Sequence, residues 1–373
     1  MADKSILAVT MPKWGLAMKE GKVGDWLIGE GEEVDPGDEL VEVETDKIAS
    51  AVEAAHSGIL RRRVAVPGEV LPVGALLGVL AGSDASGSKI DSFVADFQEN
   101  FVPEETGEED QGPETQSVET GTGKINYLRQ GEAEEAAVLL HGFGGDLNNW
   151  LFNHPALSAE RSVYAFDLPG HGGSSKQVGD GSVVSLAETL HEACKALGIE
   201  QVDWVGHSMG GALALQTVKV HPESVRSLTL IAGAGLGTEI NSDYLKGFTG
   251  SQSRRELKPH IELLFNDPGL VTRQLLEDLL RFKRIDGVQD ALQTIMNSFV
   301  RDGQQTEKWR DVLENKTIPA QVIWGATDRI IPSAHAFGLP RHVQVQVLEN
   351  YGHMVQMEGA TEVNRMILQF WQS

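Results

Sequence analysis

The sequence predicts a multidomain protein: a small all-β sandwich, then an α/β domain with a mostly parallel sheet and a helical lid. Three observations predict it. Residues 1–81 are short valine- and leucine-rich runs punctuated by glycine, the grammar of a small all-β unit. Residues 82–123 lose that grammar and turn acidic. Residues 124–373 alternate strand-like and helix-like segments, the mark of a parallel sheet covered by helices on both faces.

Composition bounds the function before any motif does. The chain has 373 residues, 41% of them hydrophobic, and a formal charge of −23. That is long enough for two or three domains, and the charge would repel nucleic acid and anionic membranes. The single cysteine, Cys194, rules out an internal disulfide framework and suits a reducing compartment. It sits in an amphipathic run with Leu186, Leu190 and Leu197, so packing is its expected role. No apolar run reaches membrane-spanning length and no signal-type segment opens the chain; a soluble, cytoplasmic protein is expected.

The first 81 residues contain an internal repeat. Gly21, Gly31 and Gly37 recur as Gly58, Gly68 and Gly74, each displaced by 37 positions. Val23, Val34 and Leu40 recur as Leu60, Leu71 and Leu77 under the same shift. Neither half can bury a core alone, so two small sheets packed face to face with quasi-twofold symmetry are expected. Lys47 falls between the halves, near the tip of a hairpin flanked by Val43 and Val52.

Between Ile90 and Gly123 there are ten acidic residues and no lysine or arginine. Such a segment self-repels and should be a flexible linker over residues 82–123, spanning roughly 35 Å as a coil. Ile90, Phe93, Val94, Phe97 and Phe101 nevertheless follow helical spacing. A short helix over 89–102 lying on a neighbouring domain is preferred to a docking helix for a partner.

In the α/β region the expected strands are 137–141, 162–167, 202–207, 227–232, 320–325 and 343–348, with helices over 183–197 and 209–220. Residues 238–312 interrupt the alternation with helical material and no obvious strand, as an inserted lid would. The strand Val202-Asp203-Trp204-Val205-Gly206 runs straight into Ser208, and Gly210-Gly211-Ala212-Leu213 begins a helix. A serine at such a strand-to-helix turn occupies a strained backbone conformation that flanking glycines make room for. Because a serine hydroxyl is a poor nucleophile, a base must lie within reach. Asp328 and His353 each follow a predicted strand, and the order Ser, Asp, His suits this elbow. His353 would exchange the proton with Ser208, and Asp328 would fix the imidazole tautomer. Backbone N–H groups of Met209 and Phe143 would receive the negative charge that develops on the carbonyl oxygen. His141, in His141-Gly142-Phe143-Gly144-Gly145, is expected to be structural.

Met11-Pro12-Lys13, Glu20-Gly21, Gly29-Glu30-Gly31 and Glu44-Thr45-Asp46-Lys47 closely resemble the lipoyl domains of 2-oxo acid dehydrogenase complexes. The resemblance implies lipoic acid amide-linked to Lys47. Related biotin carriers flank their lysine with methionines, whereas Asp46 and Ile48 stand here. Residues 124–373 resemble the α/β-hydrolase superfamily throughout. A lipoyl domain joined to such a domain is similar to the dihydrolipoyl acetyltransferase components of bacterial acetoin dehydrogenase complexes. That similarity implies thiamine-diphosphate-dependent acetoin dehydrogenase subunits and dihydrolipoyl dehydrogenase as partners, and a homo-oligomer. The chain departs from ordinary lipoyl acyltransferases in lacking a His-x-x-x-Asp-Gly motif and a recognisable subunit-binding domain.

The leading expectation is acetyl transfer from the arm on Lys47 to Ser208 and then to coenzyme A, with no metal. Lys246 to Arg284 holds eight basic and five acidic residues, and Arg254, Arg255, Lys258 and Arg284 are candidate contacts for the phosphates of coenzyme A. A solvated charged surface is the bland alternative. The rival functions are a thioesterase or esterase in which water resolves the acyl-serine, and a lipoyl carrier whose hydrolase fold is only a scaffold.

Overall fold

The computed structural model describes residues 6–12, 20–44, 49–83, 85–101 and 114–372, divided into two compact units, 1–112 and 113–373. In the first unit the strands are β1 (Ile6–Thr10), β2 (Glu20–Trp26), β3 (Glu33–Val34), β4 (Glu39–Glu44), β5 (Ala49–Glu53), β6 (Gly58–Arg63), β7 (Val70–Pro72) and β8 (Leu76–Ala81). They form two four-stranded sheets, ordered β1-β8-β6-β3 and β5-β4-β2-β7. Val23, Val34, Leu40, Val43, Leu60 and Leu77 are buried together between them. The 37-residue repeat has a direct structural meaning. Gly31, Gly37, Gly68 and Gly74 all have positive φ, from 84° to 95°, where a side chain would be strained. Gly31 N–H donates to Leu60 O at 2.7 Å, and its repeat mate Gly68 donates to Val23 O, also at 2.7 Å. Each half closes the other.

Within the stretch expected as a linker, α1 (Gly87–Asn100) is helical, with Ser86 accepting the Lys89 N–H as its N-cap. Ile90 is buried against Ile6, Leu76, Val79 and Ala81, with Phe93, Val94 and Phe97 half-buried around it. Arg62 adds an ion pair to Asp91 at 2.6 Å. The apolar stripe therefore lies on its neighbouring sheet, as the preferred sequence reading expected.

The second unit has an eight-stranded sheet built from β9 (Gln116–Thr120), β10 (Gly123–Gln130), β11 (Ala136–Leu140), β12 (Ser162–Phe166), β13 (Val202–His207), β14 (Val225–Ile231), and two later strands, Ala320–Gly325 and Gln344–Leu348. From β12 to Gln344–Leu348 every pairing is parallel; β9 and β10 add antiparallel at the edge. The six expected strands lie within two residues of those observed. α2 (His154–Leu157) lies between β11 and β13 in the chain, α3 (Val183–Ala196) precedes β13, and α4 (Met209–Val220) follows it. α3 and α4 pack on one face with Leu186, Leu190 and Leu213; Leu157 of α2 and, from the C-terminal helix Ala360–Trp371, Val363 and Ile367 pack on the other. Cys194 is buried in that core, and burial pushes its thiol far above the ordinary value. Between β14 and Ala320–Gly325 lie α5 (Ser242–Gly250), α6 (Arg254–Ile261), α7 (Arg273–Lys283) and α8 (Val288–Phe299). This stretch is not wholly free of strand: Val300–Arg301 pairs with Gln304–Gln305 in a minimal hairpin, two residues per arm being too short to leave a periodic signal.

Candidate active site

Ser208 is the residue between β13 and α4, with φ 53° and ψ −120°. Left-handed backbone costs a non-glycine residue on the order of 1–3 kcal/mol, so the surroundings must enforce it. Three bonds do. Ser208 N–H donates to Ile231 O at 3.0 Å, and Ser208 O accepts from Gly211 N–H and Ala234 N–H, both at 2.9 Å. The turn closes only because its neighbours lack side chains. A Cβ on Gly206 would stand 2.4 Å from Gly210 O, and one on Gly210 would stand 2.4 Å from Leu140 O.

Asp328 and His353 come together from the loops after the last two sheet strands. His353 Nδ1 lies 2.8 Å from Asp328 Oδ2, with side-chain exposures of 3% and 0%. The other carboxylate oxygen accepts Ile330 N–H (2.8 Å) and Ile331 N–H (3.0 Å), and Oδ2 also accepts Trp324 Nε1–H at 3.0 Å. A carboxylate so bonded is an acceptor only, so Nδ1 carries the proton and Nε2 is left as an unprotonated acceptor. His207, adjacent to the serine, ties the two loops: its Nε2 donates to His353 O at 3.0 Å, and the rings lie 4.8 Å apart.

The loop after β11 runs along the serine. A Cβ on Gly142 would meet Ser208 Cβ at 2.9 Å and His207 Nδ1 at 3.1 Å. Gly144 N–H donates to His171 Nε2 at 3.0 Å and Gly145 N–H to Gly142 O at 3.2 Å. No partner for the N–H groups of Phe143 or Met209 occurs among the described residues, as befits donors kept for a reacting oxygen. His141 bonds as expected of a structural residue: Nε2 accepts Leu168 N–H at 3.0 Å and Nδ1 donates to Gly142 O at 2.7 Å. Burial lowers its pKa to about 4, and that of His171 to about 3, where nearby His141 adds to the effect.

Sequence reasoning missed three supports. His171 holds Gly144, and Asp167 accepts Leu147 N–H at 2.8 Å and Gly173 N–H at 2.7 Å. Asp167-Leu168-Pro169-Gly170-His171-Gly172-Gly173, a polar and glycine-rich turn directly after a buried strand, could have flagged both. Glu358 accepts Gly352 N–H and Asn266 N–H, each at 2.7 Å, linking the His353 loop to the lid; nothing in its local sequence announces that.

The four candidate cations sit on the lid. Arg254 pairs with Glu277 at 3.1 Å and Lys258 with Glu262 at 3.8 Å, while Arg255 on α6 and Arg284 just past α7 are exposed. Lys47 lies outside the described residues. The described ladder ends at the pair Glu44–Ala49, so Lys47 falls in the four residues connecting β4 to β5, whose Val41, Val43 and Val52 are anchored in the core. Those anchored strands and the lysine amine fit an amide-linked carboxylic cofactor. Among the described residues no three His, Cys, Asp or Glu side chains cluster as metal ligands, and no helix is long and apolar enough to cross a membrane.

Residues 7–80 match the biotin/lipoyl family described as biotin-requiring enzymes, and residues 137–360 match the α/β-hydrolase fold family. The chain is 50% identical over 98% of its length, and 98% of the relative's, to the dihydrolipoyllysine-residue acetyltransferase component of the acetoin cleaving system of Pseudomonas putida. It is 45% identical, over 97% and 96% of the two chains, to the protein of that description in Cupriavidus necator. Among solved structures, a meta-cleavage product hydrolase superposes with TM-score 0.62 at 24% identity, covering 69% of this chain and 97% of its own.

Proposed function

The chain belongs to the family of dihydrolipoyllysine-residue acetyltransferase components of acetoin cleaving systems, and we propose that it moves acetyl from the arm on Lys47 through Ser208 to coenzyme A. The observation that carries this reading is the Asp328–His353 hydrogen bond, joined through His207 to a strained Ser208, in a chain that also bears a lipoyl domain. The bound lipoyl group would supply a thiol that carries acetyl as a thioester. Its neighbours in the reaction would be thiamine-diphosphate-dependent acetoin dehydrogenase subunits and dihydrolipoyl dehydrogenase, arranged around a homo-oligomer of this chain.

Ser208 Oγ attacks the thioester carbonyl while His353 Nε2 takes its proton. Phe143 and Met209 N–H groups stabilise the oxyanion, worth about 3–4 kcal/mol per donor in comparable sites. As the C–S bond breaks, His353 returns the proton to the departing thiolate, leaving acetyl-Ser208 and a free thiol. His353 next deprotonates the thiol of coenzyme A, which attacks acetyl-Ser208; acetyl-CoA departs and Oγ recovers its proton. Tethering would hold the arm at an effective concentration on the order of millimolar, so the serine site need not bind it tightly. Arg254, Arg255, Lys258 and Arg284 would meet the phosphates of coenzyme A.

The test is incubation with acetyl-dihydrolipoamide, with and without coenzyme A. Acetyl-CoA formation supports transfer. The second reading, hydrolysis, is favoured by the fold and by a triad that hydrolases also use; free acetate released at one rate in both samples would establish it.

A further inference from the structure

We propose that Lys283 of α7 is a positioning residue for the oxyanion donors beside Ser208, acting through Phe248. The proposal rests on the reading of Ser208 as nucleophile and Phe143 N–H as donor.

A helix end leaves its last carbonyls without partners, and a cation there is favoured by the helix dipole. α5 receives that cation from another helix. Lys283, 4% exposed, donates Nζ–H bonds to Phe248 O and Ser251 O, and its ammonium stands 5.4 Å from the centre of the Phe248 ring. Burying an ammonium is expensive unless such bonds surround it; burial lowers its pKa to about 8, with Glu256 opposing.

Phe248 is itself 1% exposed and packs edge-on against Phe143, ring centres 6.0 Å apart. It approaches Gly144 so closely that a Cβ there would stand 2.5 Å from the ring. The residue beside Lys283 grips the other side. Phe282 stacks on His171 at 6.2 Å and 17°, and His171 Nε2 holds Gly144 N–H at 3.0 Å. Residues 143–144 are thus clamped by two consecutive residues of one lid helix. Gly144 and Gly145 have their N–H groups occupied, whereas the Phe143 N–H has no partner among the described residues. An ångström of drift in a donor is felt in the rate, so the lid is part of the catalytic site and not merely its cover.

The test uses the full lipoylated chain, assaying acetyl transfer from acetyl-dihydrolipoamide to coenzyme A. Binding of a small alkylboronic acid, whose tetrahedral adduct on Ser208 presents an oxygen to the same donors, is measured beside it. Lys283→Met should lower kcat on the order of 10- to 100-fold and weaken boronate binding by a similar factor, with the KM for coenzyme A within about twofold. Lys283→Arg should recover part of both. Phe248→Leu should reproduce the loss, and the double variant should be no worse than the poorer single one. A folded Lys283→Met or Phe248→Leu protein with wild-type kcat and boronate affinity overturns the proposal, as do losses that simply add. Should Lys283→Met fail to fold, Phe248→Leu alone decides. Wild-type protein that binds boronate no better than Ser208→Ala would remove the reading of Ser208 itself, and this inference with it.

Discussion

Asp328 spends every acceptor position on fixed partners: two backbone N–H groups, one indole N–H and His353. An amide in its place would turn its NH2 either toward both Trp324 and His353, favouring the wrong imidazole tautomer, or toward the Ile330 and Ile331 N–H groups, breaking both backbone bonds. Asp328→Asn should therefore lower kcat by about four orders of magnitude while the protein stays folded; steady-state rates at neutral pH check it, and a loss below tenfold would speak against the orienting role. His141 and His171 give a second residue-level expectation. Both remain neutral in the fold, with pKa values lowered from the ordinary 6.5 to about 4 and about 3. Below pH 6.5 the unfolded chain binds protons that the folded chain does not, so stability present above 6.5 is lost as pH falls toward 4 and 3. Thermal melts of the second unit should decline from about pH 6.5 downward, and melts flat from pH 7 to 5 would contradict this.

At the scale of elements, the Ser208 turn is a three-way contact between β13, α4 and the loop after β11, so glycine is required on both sides of it. Gly142→Ala would press a methyl to within 2.9 Å of Ser208 Cβ, against side chains with nowhere to retreat. Activity should fall at least tenfold before stability does, and unchanged kcat would show that the loop can yield. α1 is part of the first unit's core: Ile90→Ala should destabilise that unit by about 2–4 kcal/mol in denaturant titrations and leave transfer from free acetyl-dihydrolipoamide untouched. These elements also show what a sequence can and cannot disclose. The strands of the parallel sheet are continuous apolar runs, and the glycine repeat fixes turns by φ alone, so both could be read directly. Ser208, Asp328 and His353 were legible because each stands just past a strand that could itself be recognised. β9 was not: Gln116–Thr120 is a polar, half-exposed edge strand whose composition matches a linker. Lys283, Glu358 and His171 owe their roles to partners 27 to 92 residues away, and local pattern carries no trace of such pairings.

For the molecule as a whole, the arm and the serine need be coupled only through the chain that joins them. Lys47→Arg should abolish transfer when acetyl is loaded by the partner enzymes, yet leave transfer from free acetyl-dihydrolipoamide intact. Parallel losses in the two assays would mean that the first unit contributes more than an attachment point. Reversing charge at Arg254 and Arg255 should raise the KM for coenzyme A with little effect on acyl-serine formation. The central claim is that acetyl passes through the Ser208 hydroxyl, and it is tested most directly by rapid acid quench and mass analysis of protein mixed with acetyl-dihydrolipoamide without coenzyme A. One acetyl group should be found on the peptide containing Ser208 and should vanish when coenzyme A is added, and Ser208→Ala should lose on the order of a million-fold in turnover. An unmodified Ser208, or a Ser208→Ala protein that still makes acetyl-CoA at the wild-type rate, would contradict the claim.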